Sequence, residues 1–404
     1  MTLLAIFLGL FFVYSLASGR LQQTVVTAPM LFTAAGALVS RELFGRVPTT
    51  GGTVTLLWTA EVGLVLLLFA DASRTDLRSL KSLANLPARL LSVGMLLTLG
   101  LGMVAARLVL PGLTWWEAGI LSAILAPTDA GLGQVIVTSP RVPVAVRQAL
   151  NVEAGLNDGL SVPFLMFFIV LAGLENHEAN LAKLIVEQLV YGAGLGAVIG
   201  LGGGALLHHA HRARWTAPAF HQLGVVALPL LCLPLSEAAG ASMFIAAFTA
   251  GLTVQVTFPD AGRHSIEFTE EWGQLINLAV FFLFGLLVAR DLALFTWAMA
   301  VYALLSLTLV RMLPVWVSLL GTGLRLPTVL FMGWFGPRGL ASIVLGLVYL
   351  EQETRQAGEQ TIRLAVMVTV FLSIFAHGLT AQPGIGWLSR FEPAKEPAIA
   401  NRKG

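Results

Sequence analysis

Five ionisable side chains sit inside apolar runs of this 404-residue chain: Asp129, Glu153, Asp158, Arg311 and Arg338. A charge at the centre of a bilayer costs about 2.5–3.5 kcal/mol on insertion scales, so each is a candidate for ion handling. Asp129 lies in Ala126-Pro127-Thr128-Asp129-Ala130-Gly131. Proline removes a backbone donor and clashes with the preceding turn. The carbonyls it frees need a partner at membrane depth. Asp129 has two readings there, an ion ligand or the cap of a second half-helix. The next apolar run carries Asn151-Val152-Glu153-Ala154-Gly155-Leu156-Asn157-Asp158-Gly159. Helical spacing puts Glu153 with Asn157, and Ala154 with Asp158, on shared faces. Carboxylate and amide oxygens suit a hard cation, so Asp158, Asn157, Asp129 and Thr128 are the candidate cation and proton ligands. Glu153, so near Asp158, needs a basic partner or would repel it. The second half of the chain offers Arg311, and Arg338 within Gly336-Pro337-Arg338-Gly339.

The rest of the chain must hold these groups in a membrane. It is 56% hydrophobic and 11% charged, against roughly 25% charged in a soluble domain. Its mean hydropathy is +0.82, and its 41 glycines suit closely packed spanning helices. A formal net charge of +2 lacks the basic excess that nucleic-acid binding needs. The lone Cys232 excludes an internal disulfide and any multi-cysteine metal centre. The patterns of zinc hydrolases, nucleophile-elbow hydrolases and nucleotide-binding loops do not occur, so a non-enzymatic protein without a cofactor is expected.

Runs of roughly 20 apolar residues give about thirteen candidate transmembrane helices, the first near Thr2–Ala17 and the last near Leu364–Leu379. With the N-terminus outside, fifteen Lys and Arg residues fall on the cytoplasmic side, seven opposite and two within spans. This fits an N-out, C-in topology in the cell membrane, with a short polar tail expected after Leu388. Spans 5 and 12 are both interrupted by proline and both carry charge at the break. Six spans lie between them, so the two breaks fall seven spans apart and the two halves of the chain run in opposite orientation. Paired broken helices in inverted halves mark a secondary transporter with a site at mid-membrane.

The stretch LAPTDAGLGQVIVTSPRVPVAVRQALNVEAGLNDGLSVP (Leu125 to Pro163) resembles the monovalent cation–proton antiporter 1 family, in particular bacterial and archaeal Na+/H+ antiporters of the NhaP type. Further matches follow in order at LLLFADASRTDLRSL (Leu66 to Leu80), AAFTAGL (Ala246 to Leu252), FFLFGLL (Phe281 to Leu287), GPRGLASIVLGL (Gly336 to Leu347) and HGLT (His377 to Thr380). The resemblance implies the Na+/H+ antiporter fold and a homodimer. It implies a dimerisation scaffold at 1–84 and 215–290, a moving core at 85–173 and 291–388, a linker helix at 181–208 and a tail at 389–404. Thr128, Asp129, Asn157 and Asp158 correspond to the family's ion site, with Na+ at Asp158, Asp129 and Thr128. Glu153 and Arg311 match its structural ion pair, and Arg338 is expected to pair with Asp71. Two departures stand out: Ala154 replaces a common Ser, and Thr128-Asp129-Ala130 replaces Thr-Asp-Pro. Ser161 and Ser342 are candidates to supply the missing hydroxyl.

The resemblance implies exchange of Na+ or Li+ for H+, one for one, because Asn157 rather than a second acid precedes Asp158. A K+ or broad monovalent cation exchanger is the alternative; a proton-coupled organic-solute transporter or a cation channel is more remote. Three further features fall outside this site. His208, His209 and His211, with Arg212 and Arg214, read as a basic cytoplasmic loop. Glu61 reads as interface-facing or water-exposed, and Phe281, Phe282 and Phe284 as lipid-facing or packing.

Overall fold

The computed structural model describes residues 2–21, 24–43, 49–74, 86–175, 181–258, 263–351 and 357–392, and over these it is helical without strands. Part of the Leu66–Leu80 match, most of the expected tail, and Arg46, Arg78, Lys81, Arg355, Lys395, Arg402 and Lys403 of the charge count lie outside the described residues.

The first helices are α1 (Thr2–Leu21), α2 (Ala28–Leu43), α3 (Thr49–Arg74) and α4 (Leu86–Val109), the last with a π-turn at Leu90–Gly94. The fifth apolar run is split into α5 (Trp115–Ile124) and α6 (Ala130–Val137), as Pro127 requires. Then come α7 (Val144–Glu175), α8 (Leu181–Val198, continued by the π-turn Ile199–Gly203 and by Gly204–Arg212), α9 (Pro218–Ala239), α10 (Met243–Thr257) and α11 (Arg263–Asp291). The last are α12 (Trp297–Ser318), the half-helices α13 (Leu326–Trp334) and α14 (Leu340–Glu351), and α15 (Glu359–Phe391). Eight helices among the described residues are long and apolar enough to cross a membrane, and Ala28–Ser40, Met243–Thr257 and Leu340–Leu350 are shorter apolar ones.

Helix starts follow local chemistry. Thr114 and Glu117 form a reciprocal capping box at α5, and Ser242 and Thr296 cap α10 and α12. Gly240, at φ +61°, ends α9 in the left-handed region that a side chain disfavours.

Packing sorts the helices. α11 lies along α2 and α3, and α10 along α3, α8 and α9; α4, α5, α7, α12 and α15 pack among themselves, with α14 set against α3, α5 and α15. Glycines set the close approaches. A β-carbon on Gly36 of α2 would strike the Phe282 carbonyl of α11, and one on Gly285 of α11 would strike the Thr33 carbonyl of α2. Small residues let backbones meet in this way where lipid offers no hydrophobic drive.

Two sequence expectations, on the histidines and on Glu61, are corrected, and the eleventh apolar run shows a further break. The eleventh apolar run is interrupted at Thr308 (φ −109°, ψ −91°), one turn before Arg311. His208, His209 and His211 lie in the last turns of α8 rather than on a loop, and His208 and His211 pack around Phe258. Glu61 is buried, not water-exposed. Phe281, Phe282 and Phe284 are core residues.

Candidate cation site at the crossing of two broken helices

The breaks between α5 and α6 and between α13 and α14 meet, and each satisfies the backbone groups that the other leaves open. Asp129 N–H donates to the Pro337 carbonyl at 2.8 Å. The Asp129 carboxylate accepts from Leu132 N through Oδ1 at 2.9 Å and from Leu340 N through Oδ2 at 2.5 Å. One carboxylate therefore caps the N-termini of two half-helices, whose dipoles both favour negative charge there. The opposite charge serves the opposite end. Arg338 Nη1 donates to the Ala126 and Pro127 carbonyls just beyond α5, at 2.6 and 3.0 Å, where a helix C-terminus favours a cation. Gly339 is required at this point, since a β-carbon there would overlap the Asp129 carboxylate.

The C-terminal end of α13 is closed by α15. Arg338 N–H donates to Ser373 Oγ at 2.7 Å, Ser373 Oγ lies 3.1 Å from His377 Nδ1, and His377 Nε2 lies 2.9 Å from the Trp334 carbonyl. His377 Nδ1 also lies 2.9 Å from the Ser373 carbonyl, so each ring nitrogen faces a backbone acceptor and the ring ties α13 to α15.

Beside this crossing runs α7. Asn157 Nδ2 donates to Thr128 Oγ1 at 2.8 Å, fixing the amide so that its oxygen faces elsewhere. Asn157 Oδ1 and Asp158 Oδ1 are both buried without a hydrogen-bond partner among the described residues. Buried polar atoms without partners are few in native proteins and call for a reason. Two oxygens of this kind on successive residues, one on a carboxylate, are candidate ligands for a small cation. Asp129 and Asp71 are the acids whose charges act on Asp158. Asp71 Oδ2 lies 3.8 Å from where a β-carbon on Gly155 would sit, one turn before Asp158. A cavity of about 10 Å³ touches Thr128, Asp129 and Ala154 and continues between Ile136, Leu150 and Phe335. That is the size of one water.

Glu153 is one turn further back on α7 and has a different environment. Arg311 donates to its two oxygens from Nη1 and Nη2 at 2.6 and 2.8 Å, a bidentate pair with both residues buried. The guanidinium lies against Gly336, where a β-carbon would collide with it.

The structure thus brings Thr128, Asp129, Asn157 and Asp158 together and pairs Glu153 with Arg311. The expected Arg338–Asp71 pair is corrected. Arg338 turns to the carbonyls at the α5 break, with Nε and Nη2 unpartnered, while Asp71 lies along α7 beside Gly155. Ser161 Oγ is bonded to the Asn157 carbonyl at 2.7 Å and Ser342 Oγ is buried without a partner. Sequence reasoning missed the roles of Ser373 and His377. Their signal was present as polar residues in an otherwise apolar last span, one helical turn apart.

Two discontinuous helices crossing at mid-chain charges define the architecture of a secondary transporter. A family profile described as "Sodium/hydrogen exchanger, transmembrane" matches residues 4–385, and the chain belongs to that family. A K(+)/H(+) antiporter NhaP of Alkalimonas amylolytica is 26% identical over 395 residues, covering 96% of this chain and 67% of that protein. A K(+)/H(+) antiporter NhaP2 of Shewanella sp. (strain MR-4) is 25% identical over 380 residues, covering 93% and 65%. The chain spans about two-thirds of the length of these curated relatives. The sodium proton antiporter MjNhaP1 from Methanocaldococcus jannaschii shares the fold, with a TM-score of 0.77 at 19% identity over 96% of this chain and 97% of that one.

Proposed function

We propose that this protein exchanges a monovalent cation for a proton across the cell membrane, with both cargoes competing for Asp158. The observation that carries the reading is the pair of buried, unpartnered oxygens, Asp158 Oδ1 and Asn157 Oδ1, beside the helix crossing. A carboxylate there can be neutralised by a proton or by a cation. Each occupant excludes the other, and only one charge is carried per site, so exchange is one for one and electroneutral.

Asp129 and Arg338 act in this scheme as fixed charges. They hold the crossing together by capping opposite helix ends, and Asp129 adds negative potential beside the cation. Thr128 orients Asn157. The Glu153–Arg311 pair gives the second acid on α7 a fixed partner of opposite charge. The packing of α11 with α2 and α3, apart from the group formed by α4, α5, α7, α12 and α15, supports a scaffold at 1–84 and 215–290 and a moving core at 85–173 and 291–388. In this reading α8 links the two, the scaffold forms a homodimer, and the core carries Asp158 between the two sides. The cavity at Ala154 runs toward the C-terminal end of α6, on the side where Arg141 and Arg147 place the cytoplasm.

Na+ and Li+ are the first choice of cation, as the sequence resemblance implies. K+ is the second reading, favoured by the names of the curated relatives and by Ala154, which withholds a hydroxyl from the cavity. The test is cation-driven proton flux in proteoliposomes with the membrane potential clamped, adding Na+, Li+ and K+ in turn. Flux with Na+ and Li+ that is insensitive to potential supports the first choice. Flux with K+ alone moves the assignment to K+, and flux with none of the three contradicts the function.

A further inference from the structure

A polar side chain reaches the crossing from the other group of helices. Asn277 lies midway along α11 in the run Leu275-Ile276-Asn277-Leu278-Ala279-Val280. It is 6% exposed, and its Oδ1 is buried without a hydrogen-bond partner. Its Nδ2 lies 3.2 Å from the point a β-carbon on Gly131 would occupy, and Asp129 Oδ1 lies 3.0 Å from that same point. The amide head therefore sits over the start of α6, next to the acid that caps it. Its neighbour Ile276 packs on Gly63 of α3, so the backbone here is held in the scaffold group. Leucine has the same branching and number of side-chain heavy atoms and would occupy the position without burying an unpaired amide oxygen. Packing alone does not explain asparagine.

We propose that Asn277 is a cation-selectivity residue, offering a neutral oxygen from the α11 side to the cation held at Asp158 and Asn157. The inference rests on the exchange site proposed above. A turn of the amide about its last torsion interchanges its two ends. As the structure stands the NH2 lies on the Asp129 side; turned over, the amide presents its oxygen to a cation that has entered beside that carboxylate. Asp129 belongs to the proposed core and Asn277 to the proposed scaffold. The contact is therefore made in one access state only, and the cation meets this extra oxygen from one side of the membrane. Selectivity between Na+ and K+ then depends on the side of entry.

The experiment compares wild type, Asn277→Leu, Asn277→Ser and Asp158→Asn in proteoliposomes. The KM for Na+, Li+ and K+ is measured for cations added to each face, alongside thermal melting in detergent. Loss of one oxygen ligand should raise the KM for the preferred cation about ten-fold in Asn277→Leu. The rise should appear from one face, change the Na+/K+ ratio and leave maximal flux in place; Asn277→Ser, which keeps an oxygen, should recover part of it. Unchanged KM values in Asn277→Leu, with Asp158→Asn inactive, overturn this inference and leave the exchange site standing. Reduced maximal flux at constant KM in both Asn277 variants, or melting well below wild type in both, assigns a packing role and also overturns it. Activity in Asp158→Asn would instead remove the site on which the inference rests.

Discussion

Glu153 and Asp158 stand on the same helix, little more than one turn apart, and the structure treats them in opposite ways. Glu153 is met by both terminal nitrogens of Arg311 within 2.8 Å and is buried. Asp158 keeps one oxygen without a partner among the described residues and is only half-buried. Two acids that look alike in sequence are thereby divided into one that is paired and one that keeps an unpartnered oxygen, the one proposed above to exchange its charge. The difference teaches that charge inside a membrane does not itself mark a transport site. In the proposed mechanism, what marks it is a charge that the protein leaves without a partner.

Removing the exchangeable acid should have the largest effect. Asp158→Asn is expected to reduce cation-driven proton flux to that of empty liposomes while the protein still purifies and melts as a folded species. Retained flux would end the contrast with Glu153. Removing the fixed acid should act on stability instead. Glu153→Leu leaves Arg311 buried and unpaired, at a cost of about 3–5 kcal/mol. The double variant Glu153→Leu, Arg311→Met should recover most of that loss, as measured by thermal melting. If the single variant melts with wild type, the pair is not structural.

The crossing itself comes next. Gly339→Ala pushes a methyl into the Asp129 carboxylate and disturbs two caps, worth about 0.5–2 kcal/mol each. Melting should fall and flux with it, whereas a neutral result would place the cap function elsewhere. The smallest effect is expected at Ala154, which lines the cavity beside Thr128 and Asp129. Ala154→Ser restores a hydroxyl and should change the cation KM by about two- to ten-fold, with little effect on melting. No change would mean that the cation does not enter through this part of the cavity.

Much of the arrangement was legible in the residues. Pro127 and Pro337 locate both breaks, because proline cannot continue the hydrogen-bond ladder at membrane depth. Glu153 required a base, and Arg311 was one of two available. Arg338 shows where sequence stops. Its position at a break declares a role in stabilising that break, yet which helix end faces it depends on how the two breaks cross, and its partners are carbonyls that every residue possesses. Asp71 was assigned to Arg338 by the family resemblance, whereas the packing of α3 against α7 sets it beside Gly155. The interruption of α12 at Thr308 had only indirect signals, Pro314 six residues on and a hydroxyl that bonds back to the Leu304 carbonyl. Asn277 was visible as a lone amide in an apolar run, but only the packing of α11 reveals that it reaches the crossing.

The central claim is that a proton and a cation compete for one carboxylate, and the cation KM as a function of pH tests it most directly. With pH equal on both sides and lowered through the range in which Asp158 takes up a proton, the account predicts that KM rises about ten-fold per pH unit while maximal flux at saturating cation is unchanged. A constant KM with falling maximal flux would contradict it, since proton and cation would then be acting at different groups.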